Sequence, residues 1–278
     1  MATERKRTAL VTGASSGIGA ACVERLVDED WGAYAGVRKL GSGPAGAAEL
    51  ELDVTSEESI AAVAERIRDE TGGTLDGLVN NAGIPGAGPV ETIPPETFRA
   101  VIETNLVGQF LVTQALLPLI RAARGRIVFI SSLGGRVAFP YASPYHASKW
   151  GLEALAESLR AEVARHGVEV AVIEPASMRT AIWSKGRSSL AESRERMSEP
   201  QRAIYGDALA GFDEQLGKQE DSEDPAEVAG KVLAALTDRS PSERYLVGRG
   251  ARTLTLLRPL VPDAIFDRIS NRVVTGGS

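Results

Sequence analysis

Short apolar runs alternate with longer amphipathic segments along most of the chain. Apolar runs of this length predict buried strands, and segments with helical periodicity predict crossovers between parallel strands. The alternation predicts an α/β protein with a doubly wound parallel sheet of about seven strands and helices on both faces. The predicted strands are Thr8–Thr12, Ala33–Val37, Leu50–Leu52, Gly77–Asn80, Ile127–Ser131, Val168–Ile173 and Tyr245–Val247.

Helix start signals support the helical segments between these strands. Asp224 followed by Pro225 is typical of an N-cap and a first helical turn, and Ser56 precedes an acidic first turn. Residues 177–223 are charged and irregular, which is typical of a substrate lid or binding loop. The predicted helices are Gly17–Asp28, Glu57–Glu70, Phe98–Ala122, Pro144–His166 and Pro225–Leu236.

Composition indicates a globular protein, with 43% hydrophobic and 24% charged residues. Because 278 residues carry no repeat or long linker, we expect a single domain over residues 1–278. The net charge of −6 disfavours nucleic-acid binding. The lone Cys22 excludes an internal disulfide and a multi-cysteine metal site, and no metal is expected. The apolar run near the N-terminus is too short for a signal peptide, so the predicted location is the cytoplasm.

A glycine-rich motif, TGASSGIG at 12–19, lies between the first predicted strand and the first predicted helix. Gly13 permits a tight turn, Gly17 lets the backbone approach a phosphate, and Gly19 allows close packing. The helix N-terminus offers free N–H groups, and the Ser15 and Ser16 hydroxyls add donors. Glycines also close ordinary turns, but this position in a βα unit favours a pyrophosphate site.

Tyr145 and Lys149 lie four residues apart and therefore share one helix face. A tyrosine with an ordinary pKa of about 10 acts as a base at neutral pH only if its pKa falls by roughly 3, or about 4 kcal/mol. A nearby ammonium and a bound cationic group can largely supply that energy. A tyrosine and a lysine at this spacing are also common on helix surfaces, and that alternative stays open.

Two serines, Ser131 and Ser132, end the strand IVFISS at the sheet edge where open α/β sheets bind ligands. The Ser132 hydroxyl could donate a hydrogen bond to a substrate carbonyl and stabilise developing negative charge. Its alternative role is to turn the chain out of the strand.

Seven motifs follow one another along the chain: TGASSGIG at 12–19, LDVT at 52–55, NNAG at 80–83, TNLVG at 104–108, ISS at 130–132, YHASK at 145–149 and EPASMRT at 174–180. In order and spacing they resemble the classical short-chain dehydrogenases/reductases, most closely the branch with steroid, retinol and hydroxybutyrate dehydrogenases. The resemblance is dense up to about Thr180 and implies a Rossmann fold and an NAD(P)-dependent oxidoreductase. One departure is Ala176 after Pro175, where the family commonly has glycine.

The resemblance also implies roles for single residues. Tyr145 would be the catalytic acid/base, Lys149 would lower the pKa of Tyr145 and hold the nicotinamide ribose, and Ser132 would orient the substrate oxygen. Asn105 would complete the tetrad at a helix irregularity, where its backbone holds a water of a proton relay. The implied cofactor contacts are Gly13, Ser15, Ser16, Gly17, Ile18, Gly19, Arg38, Asp53, Val54, Asn81, Ala82, Gly83, Asn105, Tyr145, Lys149 and Thr180.

The end of the second predicted strand, AGVRK, bears on the choice between NADP and NAD. NAD-preferring relatives place an acidic residue there, and Val37 cannot accept the ribose hydrogen bonds. Arg38 and Lys39 could pair with a 2′-phosphate, so NADP is the predicted cofactor. NAD stays the alternative, because Ser16 lies at a position that is basic in some NADP-preferring relatives.

The predicted substrate is a secondary alcohol or ketone, lipophilic and steroid- or retinoid-like, as the resemblance implies. Candidate pocket residues are apolar and lie near the lid. They are Phe139, Tyr141, Met178, Ile182 and Trp183.

The tail from Arg252 to Arg272 alternates apolar and basic residues, so a helical tail would be amphipathic. Such a tail could pack on the domain, on a partner subunit or on a membrane surface. Packing on the domain is favoured, and no membrane partner is expected. The resemblance implies a homodimer or homotetramer formed through helices 98–122 and 144–166.

Two other functions fit the same motifs. One is a non-catalytic NADP-sensing or scaffold protein, and the intact set of Asn105, Ser132, Tyr145 and Lys149 argues against it. The other is an epimerase or dehydratase of the extended branch, which the short glycine motif and the small C-terminal region disfavour.

Overall fold

A seven-stranded parallel sheet organises the structure, a computed structural model that describes residues 5–219 and 222–275. The strand order is β3-β2-β1-β4-β5-β6-β7, with all neighbours parallel. The predicted fold class is confirmed. The strands are β1 Thr8–Thr12, β2 Gly32–Val37, β3 Ala48–Glu51, β4 Gly77–Asn80, β5 Arg126–Ile130, β6 Glu169–Pro175 and β7 Arg244–Val247.

Ten α-helices connect these strands and continue beyond them within the described residues. They are α1 Gly17–Asp28, α2 Glu57–Thr71, α3 Pro95–Ile102, α4 Gly108–Ala123, α5 Ser143–Val163, α6 Ile182–Glu195, α7 Glu199–Lys218, α8 Pro225–Thr237, α9 Ala251–Leu257 and α10 Asp263–Thr275.

The two faces of the sheet build two separate apolar cores, because successive strand residues point to opposite faces. In β1, Leu10 packs into the core shared with α2, α4 and α5. Its neighbour Val11 packs into the other core, shared with α1 and α8. Both faces are therefore covered by helices, which explains why the strands are almost continuously apolar.

The predicted helix 98–122 differs in detail from the observed one. It starts at Pro95, and a π-helical turn over Glu103–Val107 separates α3 from α4. By length and composition, Pro95–Ala123 is the one described helical stretch that could cross a membrane. It packs on the sheet through buried residues such as Val112 and Leu116, and core helices of this kind pass the same test.

The segment 177–223 is more regular than its sequence indicates, because it forms α6 and α7. A capping box between Ser198 and Gln201 starts α7, and its buried Leu209, Phe212 and Leu216 form a small third core. Because the composition of both helices is hydrophilic, the periodicity of apolar residues did not predict them. Residues 220 and 221 of the expected lid, and residues 1–4 and 276–278 of the expected domain, lie outside the described residues.

Candidate active site

A cleft of about 400 Å³ opens at the carboxyl edge of the sheet, where ligands bind in open α/β folds. Residues from all seven motifs meet there. Gly19 and Asn105 are not among the lining residues. The predicted residues that line the cleft are Gly13, Ser15, Ser16, Gly17, Ile18, Arg38, Asp53, Val54, Asn81, Ala82, Gly83, Ser132, Tyr145, Lys149 and Thr180.

The glycine loop forms a cradle that side chains would fill. Gly13 and Gly17 have φ values of 63° and 57°, in the left-handed region that favours glycine. A Cβ on Gly13 would lie 2.9 Å from the Ala82 Cα. Ser16 precedes α1 in an extended conformation and does not cap it with its side chain. The first N–H groups of α1 are therefore available to an anion such as a pyrophosphate.

Asn81 ties the glycine loop to the end of β4. Its amide nitrogen Nδ2 donates to the Thr12 carbonyl at 2.9 Å and to the Gly13 carbonyl at 3.1 Å. The Thr12 hydroxyl accepts hydrogen bonds from the backbone N–H groups of Asn81 and Ala82. Gly19 lies behind this junction, where a Cβ would approach the Gly13 carbonyl oxygen to 2.4 Å. Thr12, which the sequence argument missed, thus fixes the floor of the cleft.

Asn105 lies fully buried in the π-helical turn, behind the cleft wall. Its Oδ1 accepts from the Ile84 N–H at 2.8 Å, and its Nδ2 donates to the Ile84 carbonyl at 2.9 Å. Nδ2 also donates to the Ser148 hydroxyl at 3.0 Å. Asn105 therefore joins the cofactor-side loop, the π turn and α5, at the helix irregularity that the resemblance implies.

Ser132, Tyr145 and Lys149 meet in the cleft. Burial raises the pKa of Tyr145, and a hydrogen bond between its side chain and Ser132 acts in the opposite direction, with a net rise. The Lys149 Nζ donates to the Ile130 carbonyl at 2.8 Å and lies 5.8 Å from the centre of the Tyr145 ring. The Ser132 Oγ also accepts from the Gly134 N–H at 3.0 Å, which fixes its position after β5.

A partly buried ionic network lies behind Lys149. Burial lowers the pKa of Lys149 to about 8, and the carboxylate of Glu153, one turn along α5, opposes that change. Arg244 of β7 lies 3.4 Å from Glu153 and 3.1 Å from Glu174, and it also pairs with Glu157. Sequence reasoning missed this network, because its members come from three distant elements.

Arg38 and Asp53 both line the other end of the cleft. Asp53 accepts hydrogen bonds from the Thr55 N–H at 2.9 Å and from the Thr55 hydroxyl at 2.7 Å, and these bonds lower its pKa. The charge of Arg38 lowers the pKa of Asp53 further. Lys39, the other predicted phosphate contact, is exposed and is not among the residues that line the cleft.

The lid end of the cleft is mostly apolar. Phe139 and Tyr141, which the sequence suggested for the pocket, are not among its lining residues. Tyr141 instead packs on Phe212 at a ring distance of 5.7 Å, in the third core behind the wall. The large apolar side chains that line this end are Met178, Ile182, Trp183, Phe212 and Leu216.

His146 fastens the loop between Ser132 and Tyr145. Its Nε2 accepts from the Phe139 N–H at 3.1 Å, so the proton lies on Nδ1, which donates to the Gly134 carbonyl at 3.0 Å. Burial lowers the pKa of His146 and keeps the ring neutral.

The parallel sheet, the glycine cradle and the edge cleft define a dinucleotide-binding protein of the Rossmann class. The family model for short chain dehydrogenases matches residues 7–191. The chain therefore belongs to the short-chain dehydrogenase/reductase family and is an oxidoreductase.

Relatives across this family cover nearly the whole chain. Short-chain dehydrogenase/reductase family 9C member 7 of Bos taurus is 37% identical over 276 residues, covering 94% of this chain and 88% of its own. NADPH-dependent 3-dehydrocapnine reductase of Ornithobacterium rhinotracheale is 33% identical and covers 95% of both chains. Human retinol dehydrogenase 16 is 38% identical over 79% of this chain and 71% of its own.

Solved structures agree with the fold. A short-chain dehydrogenase from Streptomyces avermitilis superposes with a TM-score of 0.76 at 29% identity, covering 97% of both chains. A short-chain dehydrogenase from Burkholderia cenocepacia, solved in complex with NADP, superposes with a TM-score of 0.74 at 26% identity. It covers 95% of this chain and 98% of its own. A nicotinamide cofactor is therefore supported for this chain.

Proposed function

We propose that this protein interconverts a secondary alcohol and a ketone, with NADP as the preferred cofactor and Tyr145 as the catalytic acid/base. The observation that carries the proposal is the meeting of Ser132, Tyr145 and Lys149 in one cleft with the glycine cradle. A bound nicotinamide would supply or accept the hydride. The chain itself must position the reactants and move the proton.

The raised pKa of Tyr145 fits a proton donor in the direction of ketone reduction. At neutral pH its hydroxyl keeps the proton and can donate it to the carbonyl oxygen of a ketone. The hydroxyl of Ser132, beside it, can donate a second hydrogen bond to the same oxygen and stabilise the developing charge. In the direction of alcohol oxidation, the Lys149 ammonium favours the tyrosinate by charge.

The preference for NADP rests on Arg38. Its guanidinium lies at the end of β2, lines the cleft, and has a shape that suits a phosphate. Val37 offers no carboxylate for the ribose hydroxyls that NAD carries. Support comes from a relative named as NADPH-dependent and from the similar structure in complex with NADP.

A lipophilic substrate is supported by the lid end of the cleft, where α6 and α7 contribute Trp183, Phe212 and Leu216. Apolar walls with a few polar groups are typical of sites for small apolar ligands. The similarity to a retinol dehydrogenase points the same way.

A homodimer or homotetramer, the remaining part of the proposal, is supported by apolar side chains on the outer faces of α3, α4 and α5. Phe98, Phe110 and Trp150 are 41%, 42% and 51% exposed. Large exposed aromatic groups of this kind are typical of interfaces. A cytoplasmic location stays a prediction.

The test is cofactor oxidation by the purified protein with NADPH and NADH in parallel. The panel of ketones runs from short acetoacetyl compounds to steroids, with retinal as an aldehyde of similar size. We expect turnover with a lipophilic ketone and faster turnover with NADPH. Tight cofactor binding without turnover on any carbonyl would instead favour the sensing or scaffold protein.

A further inference from the structure

The C-terminal helices α9 and α10 leave a broad apolar face pointing away from the protein. Six large aliphatic side chains in this short segment are at least half exposed, which is far more than isolated surface residues would give. The docking surface, as we call it, consists of Leu256, Leu257, Leu260, Ile265, Ile269 and Val273.

Helix α10 has two apolar faces, and the fold covers only one of them. Phe266 is buried and packs on Phe139, and Val274 is buried in the third core beside α7. Ile265, Ile269 and Val273 are 50%, 53% and 57% exposed. Each is offset by one residue, or about 100° around the helix, from the buried set. Burial in the domain therefore does not account for the second face.

Arg258 connects the part of the docking surface near α9 with the part on α10. Its guanidinium lies 4.4 Å from the centre of the Phe266 ring, and it donates to the Val261 carbonyl at 3.1 Å. It also pairs with Asp263 at the start of α10, at 2.6 Å. The turn between α9 and α10 is thus fixed, which holds their exposed apolar side chains near each other.

The segment that carries the docking surface has a net charge opposite in sign to that of the whole protein. The described residues 251–275 contain four arginines against two aspartates, while the whole chain has a net charge of −6. Arg268 and Arg272 are exposed and follow the aliphatic stripe on its other side, one helical position away. Arg252 is exposed at the start of α9. An aliphatic stripe flanked by arginines is typical of helices that lie in a membrane interface.

We propose that the docking surface binds the face of an anionic membrane, with its aliphatic side chains among the headgroups and its arginines at the lipid phosphates. The sequence alone favoured packing of the whole tail on the domain, and the exposed second face changes that expectation. A symmetric contact with a second copy fits less well, because it would bring the same arginine-flanked patch against itself. The inference does not depend on the proposed reaction.

The experiment is co-sedimentation of the full-length protein with vesicles of phosphatidylcholine, with and without phosphatidylserine. We expect binding to the anionic vesicles that weakens as the salt concentration rises. The combined change of Ile265→Ser, Ile269→Ser and Val273→Ser should weaken this binding roughly tenfold or more. Ile204→Ser is the matched control, because Ile204 is 67% exposed on α7, outside the docking surface, and its loss should leave binding unchanged.

A second pair of variants avoids the apolar face. Arg268→Glu with Arg272→Glu should abolish the preference for anionic vesicles, while Arg239→Glu, an exposed arginine before β7, should keep it. Absence of binding by the unchanged protein, or equal binding to neutral vesicles, overturns the proposal. So does a dimer, seen by analytical ultracentrifugation without lipid, that the Ile265, Ile269 and Val273 changes dissociate. Cofactor binding by each variant shows separately whether the variant is folded.

Discussion

Lys149 and Glu153 lie one turn apart on the buried face of α5, and the carboxylate of Glu153 opposes the effect of burial on the Lys149 ammonium. The same carboxylate is held from β7 by Arg244 at 3.4 Å. The charges that act on Lys149 from the surrounding elements are therefore linked. Arg244 pairs with Glu174 of β6, and Arg136 lies 3.6 Å from the same Glu174 carboxylate.

This relationship predicts a pH effect. The pKa of Lys149 is about 8, and loss of the Glu153 charge in Glu153→Gln should lower it further. The ammonium, which favours the tyrosinate in alcohol oxidation, is then lost at lower pH, so the fall of the alcohol-oxidation rate at high pH should move down by roughly one pH unit. The measurement is kcat for alcohol oxidation against pH with saturating NADP.

The control for this shift is Glu157→Gln. Glu157 also pairs with Arg244 but lies one turn further from Lys149. We expect it to leave the high-pH limb in place. Equal shifts in both variants would mean that Arg244, and not the charge of Glu153, sets the pKa of Lys149.

Much of this site could be predicted from the sequence, because its parts are local. The glycine loop follows β1 directly, and Tyr145 and Lys149 share one helix face whatever surrounds them. Arg244, in contrast, reaches Glu153 from 91 residues away along the chain. No periodicity shows such a contact, which depends on β7 pairing with β6.

The structures of the lid and the tail also depend on contacts between distant segments, which the sequence pattern does not show. The sequence of α7 mixes charged and small residues, so its helical form depends on burying Leu209 and Phe212 in a core built by other segments. The amphipathic tail could be recognised from its pattern. Which of its apolar faces is covered could not, because that depends on where α10 meets α7.

Gly19 gives a stability prediction. Gly19→Ala places a Cβ 2.4 Å from the Gly13 carbonyl oxygen, so either the glycine loop or α1 must move. We expect a loss of about 1–3 kcal/mol in the free energy of unfolding, with weaker cofactor binding. Gly206→Ala is the matched control, since Gly206 lies within α7 with open space around it. Gly206→Ala should raise the free energy of unfolding by up to about 1 kcal/mol. Urea denaturation measures the free energy of unfolding of both variants. Similar losses in Gly19→Ala and Gly206→Ala would contradict the packing argument.

Arg38 gives a cofactor prediction. Arg38→Ala should raise the Kd for NADPH by roughly tenfold to a hundredfold and leave that for NADH nearly unchanged, because only NADPH carries the 2′-phosphate. Lys39→Ala, next along the chain but not among the cleft-lining residues, should change neither. Fluorescence titration with both cofactors measures this. Equal weakening for NADPH and NADH in Arg38→Ala would remove the basis for NADP preference.

In the proposed reaction, Tyr145 moves the proton. The most direct measurement compares Tyr145→Phe with the unchanged protein for NADPH oxidation with a ketone that the latter reduces, beside a fluorescence titration of NADPH binding. We predict that turnover falls by roughly a thousandfold while the Kd for NADPH stays nearly the same. Tyr141→Phe, a change just before α5 and outside the cleft, should keep turnover. Substantial turnover by Tyr145→Phe would mean that another group moves the proton.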